Sequence, residues 1–344
     1  MTDRIKLGVL DQSPMRYGGT AADALRETVE LARITEELGY TRYWVAEHHN
    51  ASSFAGTSPE LLVAQIAAST QTIRVGTGGV MLSNYSALKV AEQFQVLSAF
   101  YPGRLDLGIG RAAGGDPLAA AALAHPRPKA NPKEFPGQVK DLLGFLHSEV
   151  ADEHPFAGVK AQPGPAPESC PEIWLLGSGS SGASVAAELG LPLAFADFLG
   201  ESRKAGPAVV AQYRETFKPS GQQAVPRLLI ALGVLCAPDA EEAQRIGLSR
   251  KFDLIAELHG IEGLLAPEDV LQITMTEAEE RHVEHWSQSF IEGNPVQARD
   301  TILDLARRYE ADDVLLVTNC YSFEHRVRSY RLLSEIFGLR SDGY

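Results

Sequence analysis

Short apolar runs recur along the chain. Each ends in a small cluster of polar or glycine residues and gives way to a stretch of helical periodicity. The first covers residues 6–10 and ends at Asp11-Gln12-Ser13-Pro14. The second, 43–46, ends at Glu47-His48-His49. The third, 74–82, contains Gly76-Thr77-Gly78-Gly79, and the fourth, 104–110, ends at Arg111. The fifth, 172–176, runs into Gly177-Ser178-Gly179, and the sixth, 193–196, into Asp197. The last two cover 228–235 and 313–317, the latter ending at Thr318-Asn319. Short, almost uniformly apolar strands are expected where both faces of a parallel sheet are covered.

Helical segments alternate with these strands. Residues 21–38 carry Leu25, Val29, Ala32 and Leu38, with Gly39 as a C-terminal cap. Ser58-Pro59-Glu60 opens the second helix, with Ser as N-cap and Pro at the first helical position. Residues 86–100 form the third, stopped by Pro102-Gly103. Further helices are predicted around 136–148, 181–189, 205–217, 239–258 and 323–337. Two stretches break the rhythm: 113–135, rich in Ala, Pro and Gly, and 259–298, with Gly260, Gly263 and Pro267. The first reads equally as a lid or as a surface ornament. The second is expected to be a lid, with Gly260, Gly263 and Gly293 as hinges.

Eight strand–helix units suit a closed parallel (β/α)8 TIM barrel, read here as a single domain over residues 1–344 with insertions at its C-terminal face. An open doubly wound sheet would call for a glycine fingerprint after the first strand, where Asp11-Gln12-Ser13-Pro14 stands instead. A barrel places its chemistry at the strands' carboxyl ends, where the polar clusters lie.

Composition narrows the function classes. The 344 residues are 44% hydrophobic and carry a net charge of −13, with no basic run to neutralise phosphates, so a nucleic-acid partner is not expected. Cys170, Cys236 and Cys320 are widely spaced and odd in number, against a disulfide framework or a zinc site. The first six residues lack the apolar segment of a signal peptide, and no run reaches the length of a membrane span. A soluble cytoplasmic protein is expected.

Three features could carry chemistry. Adjacent strand residues point to opposite faces, so Trp44, Ala46 and His48 share one side, and Val45, Glu47 and His49 the other. One histidine can then face the barrel mouth, or both can be hydrogen-bonded structural groups; no other cluster shows metal-ligand spacing. The glycines of the third strand fit close approach of a flat ligand, an unusual peptide geometry, or a β-bulge. The Gly177–Gly182 turn, with Ser178, Gly179, Ser180 and Ser181, leaves backbone N–H groups open at a helix start, a cradle for phosphate. It lacks the lysine of a nucleotide P-loop. Arg111 could add the charge, or form a surface salt bridge.

Taken together, Trp44-Val45-Ala46-Glu47-His48-His49, Gly76 to Leu82, Val90-Ala91-Glu92-Gln93, Pro102 to Arg111, Gly177 to Gly190 and Ser329-Tyr330-Arg331-Leu332-Leu333 resemble the bacterial-luciferase-like flavin-dependent monooxygenases, in order over almost the whole chain. The resemblance implies reduced FMN bound at the barrel mouth and supplied by a separate flavin reductase. O2 would be captured as a flavin C4a-hydroperoxide that oxygenates an aldehyde or another small organic substrate. It implies His48 as the active-site histidine, its free pKa near neutrality suiting proton transfer, and a cis peptide at Gly78-Gly79 against the flavin. Arg111 with Ser178, Gly179, Ser180, Ser181 and Gly182 would hold the phosphate. It also implies a homodimer through helices 59–71 and 86–100, with Leu61, Leu62, Ile66, Ala67, Val90, Phe94, Leu97 and Phe100 as the apolar surplus. Gly110 stands where luciferases have a reactive cysteine, and Ser178 where they have an acidic residue. Deazaflavin-dependent oxidoreductases and non-catalytic flavin binders share the resemblance and are the alternatives.

Overall fold

The computed structural model describes residues 5–126, 128, 131–165, 169–200 and 202–339. Nine strands are formed: β1 Lys6–Asp11, β2 Arg42–Val45, β3 Arg74–Met81, β4 Leu105–Gly110, β5 Glu172–Gly177, β6 Leu193–Ala196, β7 Leu228–Cys236, β8 Phe290–Gly293 and β9 Asp313–Val317. All ladders are parallel, in the order β6-β5-β4-β3-β2-β1-β9-β7, and β6 pairs with β7 to close an eight-stranded barrel. The eight strands read from the sequence are the eight barrel strands. The ninth, β8, pairs only with the upper part of β7, Gly233–Cys236, and was not anticipated.

Alternation along each strand divides the apolar residues between two cores. Tyr43, Val45, Leu228, Ile230, Val314 and Leu316 point outward into a core shared with the helices. Trp44, Ala46, Leu229, Ala231, Leu315 and Val317 point inward and pack with Leu10, Trp174, Ala194 and Phe198. Helix ends follow local chemistry. Gly39 takes a φ of +86° just past the helix Ala21–Glu37, beside the backbone of Leu339. Pro59 opens the next helix at its first turn, although the Ser58 side chain makes no capping hydrogen bond.

The N-terminal end of the barrel is closed by charges. Asp106, fully buried, accepts from Arg42 at 2.5 Å, Arg74 at 2.6 Å and Trp44 Nε1 at 2.8 Å. Arg42 also meets Glu172 at 3.0 Å, and the Arg42 and Arg227 guanidiniums lie over the Trp174 ring. This plug fills the end of the barrel away from the polar clusters.

The two irregular stretches are more ordered than the sequence suggests. Residues 113–135 include the helix Pro117–Ala124, capped by Asp116; residues 127, 129 and 130 lie outside the described set, as do the first four of the chain. Residues 259–298 are not a bare loop. They contain a helix, Glu277–Ser287, with a complete capping box, then β8 and the start of the helix Pro295–Tyr309. Leu265, Val270 and Val283 form a small core with Phe252, Ile255 and Ala256. Leu264 is bonded through its backbone to Met15 and Tyr17, in the loop after β1. Two of the expected hinges do not fit. Gly263 is packed on the Arg16–Tyr17 backbone, and Gly293 ends a strand beside Gln297. Only Gly260, at a φ of +66° with open space around it, has the freedom of a hinge.

The helices Pro59–Ser69 and Ala87–Phe100 bury most of the apolar surplus in their own barrel: Ile66, Ala67, Val90, Phe94 and Leu97 are all buried. Leu61 and Phe100 remain 68% and 73% exposed.

Candidate functional site

A cavity of about 710 Å³ opens among the C-terminal ends of the barrel strands. This volume is in the range of small-molecule and cofactor sites. Its base is the upper layer of the inner core, including Leu10, Trp44, Ala231 and Leu315, and its rim is polar. The rim brings together the residues singled out from sequence: His48, Gly78, Arg111 and Ser178 through Gly182.

The direction of the β2 side chains carries past the end of the strand at Val45. Trp44, Ala46 and His48 line the cavity, while His49 turns away and its Nε2 meets Glu47 Oε1 at 2.8 Å. His48 stacks on Phe54, with ring centroids 4.7 Å apart. Burial, and secondarily the neighbouring His49, lower its pKa from 6.5 to about 4. The imidazole is therefore neutral at pH 7, its pKa lying well below the free value near neutrality. Its Nδ1 is buried without a hydrogen-bond partner.

Glu47 is the organising residue that sequence reasoning named without a role. Its buried carboxylate accepts from His49, from Tyr85 Oη at 3.0 Å and from the Met81 backbone N–H at 2.9 Å. It thus ties the loop after β2 to the end of β3. The signal was the i, i+2 spacing of Glu47 and His49 on one face.

On β3, the Gly78–Gly79 peptide is cis, and the register with β4 shifts between Gly78 and Val80. The unusual peptide and the bulge coexist. Neighbours on the barrel itself crowd both glycines, Gly79 against backbone and Gly78 against side chains. A Cβ on Gly78 would lie 2.6 Å from Leu10 Cδ1, and one on Gly79 2.6 Å from the Gly108 carbonyl oxygen.

At the opposite rim, Arg111 Nη1 donates to Ser181 Oγ at 2.6 Å, joining the loops after β4 and β5. The Arg111 loop is held by Asn84 Nδ2 donating to Ala113 O and by the His49 N–H donating to Gly114 O at 2.7 Å. Gly179 occupies the N-cap of the helix Ser180–Leu189, which has no side-chain cap, and a Cβ there would meet nothing within 4 Å. Gly182 lets the first turn sit on the end of β5, its Cβ position being 3.1 Å from Gly177 Cα. The first N–H groups of a helix lack intrahelical acceptors, and here they open beside a guanidinium, as an anion site requires. Among the described residues, no group of three or more His, Cys, Asp or Glu converges to hold a metal ion, and no helix is long and apolar enough to cross a membrane.

Comparisons with known proteins agree with this architecture. The luciferase-like monooxygenase family matches residues 5–309. An uncharacterized protein of Bacillus subtilis (strain 168), YwcH, is 43% identical over 97% of this chain and 99% of its own. The N-acetyl-S-alkylcysteine monooxygenase of the same organism is 35% identical over 96% of this chain and 98% of its own. The crystal structure of apo-MsnO8 superposes with a TM-score of 0.87 at 34% identity, covering 98% of this chain and 99% of that one. The chain, a barrel with a charged cluster at one end and a cavity bearing a histidine and an uncapped helix start at the other, and matched by these relatives along nearly its full length, belongs to the luciferase-like monooxygenase family.

Proposed function

We propose that this protein is a flavin-dependent monooxygenase that uses reduced FMN and O2 to oxygenate a small organic substrate. The observation that carries the reading is the meeting of Arg111 with Ser181 at an uncapped helix start, on the rim of a cavity whose inner walls are apolar. That pairing of an anion cradle with an apolar slot fits a planar ring bearing a phosphate tail. Gly179 keeps the cradle clear of side chains. The Nδ1 of His48 has no hydrogen-bond partner among the described residues and is suited to meet a polar atom of a bound molecule.

Arg111 and the N–H groups of Ser180, Ser181 and Gly182 would hold the phosphate, with Ser178 and Gly179 shaping the turn. Gly78, Gly79, Leu10 and Trp44 would wall the ring. Bound reduced FMN supplies two electrons to O2, one oxygen atom entering the substrate and the other leaving as water. The chain's part is to orient the reactants and exclude water, which the apolar lining of Ala194, Phe198 and Leu229 favours. His48, neutral and stacked on Phe54, would hydrogen-bond at the reacting centre rather than carry a charge there.

Free reduced FMN implies a separate flavin reductase as partner. Leu61 and Phe100 are the exposed apolar residues that a homodimer interface would cover. The reading is tested by anaerobic titration with reduced FMN and reduced deazaflavin, followed by isotopically labelled O2 and a substrate panel. Aldehydes belong in that panel, as does an N-acetyl-S-alkylcysteine, the thioether in the name of the 35%-identical relative. Labelled oxygen in a product, with FMN and not deazaflavin, is expected. Hydride transfer from deazaflavin without oxygen uptake would overturn the reading.

A further inference from the structure

Two amides that lie far from His48 in sequence form a chain of contacts that ends at its ring. Asn319, just past β9, donates from Nδ2 to Gln12 Oε1 at 2.5 Å. Gln12, just past β1, then has only its amide N–H groups left for its other neighbour, and its Nε2 lies 3.4 Å from His48 Nε2. A carboxamide nitrogen has no lone pair to offer, so in this contact it donates and the ring nitrogen accepts. A neutral imidazole that accepts at one nitrogen carries its proton on the other. Phe54 holds the ring plane by stacking, and the backbone N–H of His48 donates to Gly56 O at 2.8 Å, which holds the residue beside Gln12.

We propose that Gln12 and Asn319 are positioning residues that hold His48 as the neutral Nδ1–H tautomer, so that its buried Nδ1, unmatched by any described protein atom, is a hydrogen-bond donor kept for a bound molecule. An unpaired buried N–H is destabilising, and a ligand acceptor at that position would offset the cost. That the acceptor belongs to flavin or substrate rests on the monooxygenase reading; the tautomer does not.

The test uses the full chain without flavin. Two-bond nitrogen–proton correlation spectra of histidine-labelled protein distinguish protonated from unprotonated ring nitrogens, and a His48→Gln spectrum assigns the signals. The native protein should show protonated Nδ1 and unprotonated Nε2. Gln12→Glu keeps the length of the side chain but presents only acceptors to both neighbours, so His48 should turn to the Nε2–H form or take a second proton. Asn319→Asp should turn the Gln12 amide round and produce the same reversal by an independent route. Circular dichroism establishes that both variants are folded. An Nε2–H tautomer in the native protein, or an Nδ1–H tautomer unmoved in both folded variants, overturns the proposal. Because the readout precedes any flavin, it can fail while oxygenation stands, and oxygenation can fail while it stands.

Discussion

Replacing Arg111 by alanine isolates the charge at the proposed phosphate end. Arg111 is exposed, and its guanidinium reaches Ser181 Oγ at 2.6 Å, so it lies on the surface of the cradle rather than in the core. Its loss should leave the fold intact, because the loop is pinned independently through Asn84 and His49. One charge-assisted hydrogen bond to phosphate is worth about 1.5–3 kcal/mol. At 1.4 kcal/mol per factor of ten, that weakens FMN binding roughly 10- to 150-fold. Solvent exposure screens the charge, so the lower half of that range is expected. Riboflavin has the same ring and no phosphate, so its affinity should hardly change. The assay is fluorescence quenching of each flavin by wild-type protein and by Arg111→Ala, repeated at raised salt, where the FMN difference should shrink. Equal losses for FMN and riboflavin would refute the assignment, since a guanidinium that recognises phosphate cannot matter to a ligand without one.

His48→Ala should retain FMN binding and lower turnover by about 10²-fold or more, the scale of a lost proton-handling group. His49→Ala should act on stability by roughly 1–3 kcal/mol through the Glu47 carboxylate that it leaves short of a donor, as measured by urea denaturation. Because the pKa of His48 falls from 6.5 in the unfolded chain to about 4 in the folded one, the unfolded state binds more protons between those values. Stability should therefore be fully present above pH 6.5 and decline as pH drops towards 4, by roughly 3 kcal/mol at most. Denaturation of His48→Gln should lack that share of the decline; parallel curves for the two proteins would contradict it. At the charged end of the barrel, Asp106→Ala should cost about 3–5 kcal/mol by removing the buried acceptor that Arg42, Arg74 and Trp44 Nε1 share, while FMN affinity per folded molecule stays unchanged.

The barrel was legible because its evidence is local. Each of the eight strands is a short apolar run, and each polar cluster sits at a strand's end, so Arg111 and Ser181 could be placed on one rim from order alone. The inward turn of His48 followed from the two-residue period. What escaped the sequence is spread over distant strands. Asp106, Arg42, Arg74, Glu172 and Arg227 come from different strands or their flanks, and no spacing in the chain announces their plug. Gln12 and Asn319 are 307 positions apart, and only barrel closure through β1 and β9 brings them together. β8 was missed because four residues beside Gly and Pro read as loop, and its pairing depends on β7 continuing above the barrel. Of the three readings of the β3 glycines, the unusual peptide and the bulge are both formed, while the crowding by Leu10, Trp44 and Gly108 across the barrel had no sequence signal.

The central claim is that the cavity at the C-terminal face is a flavin site with its phosphate end at Arg111, and a crystal structure of the protein soaked with FMN tests it most directly. The account predicts the phosphate within hydrogen-bond distance of Arg111 and the first N–H groups of the helix Ser180–Leu189, with the ring beside Gly78-Gly79 and His48. A flavin bound the other way round, with its phosphate away from Arg111, or bound outside this cavity, would contradict it.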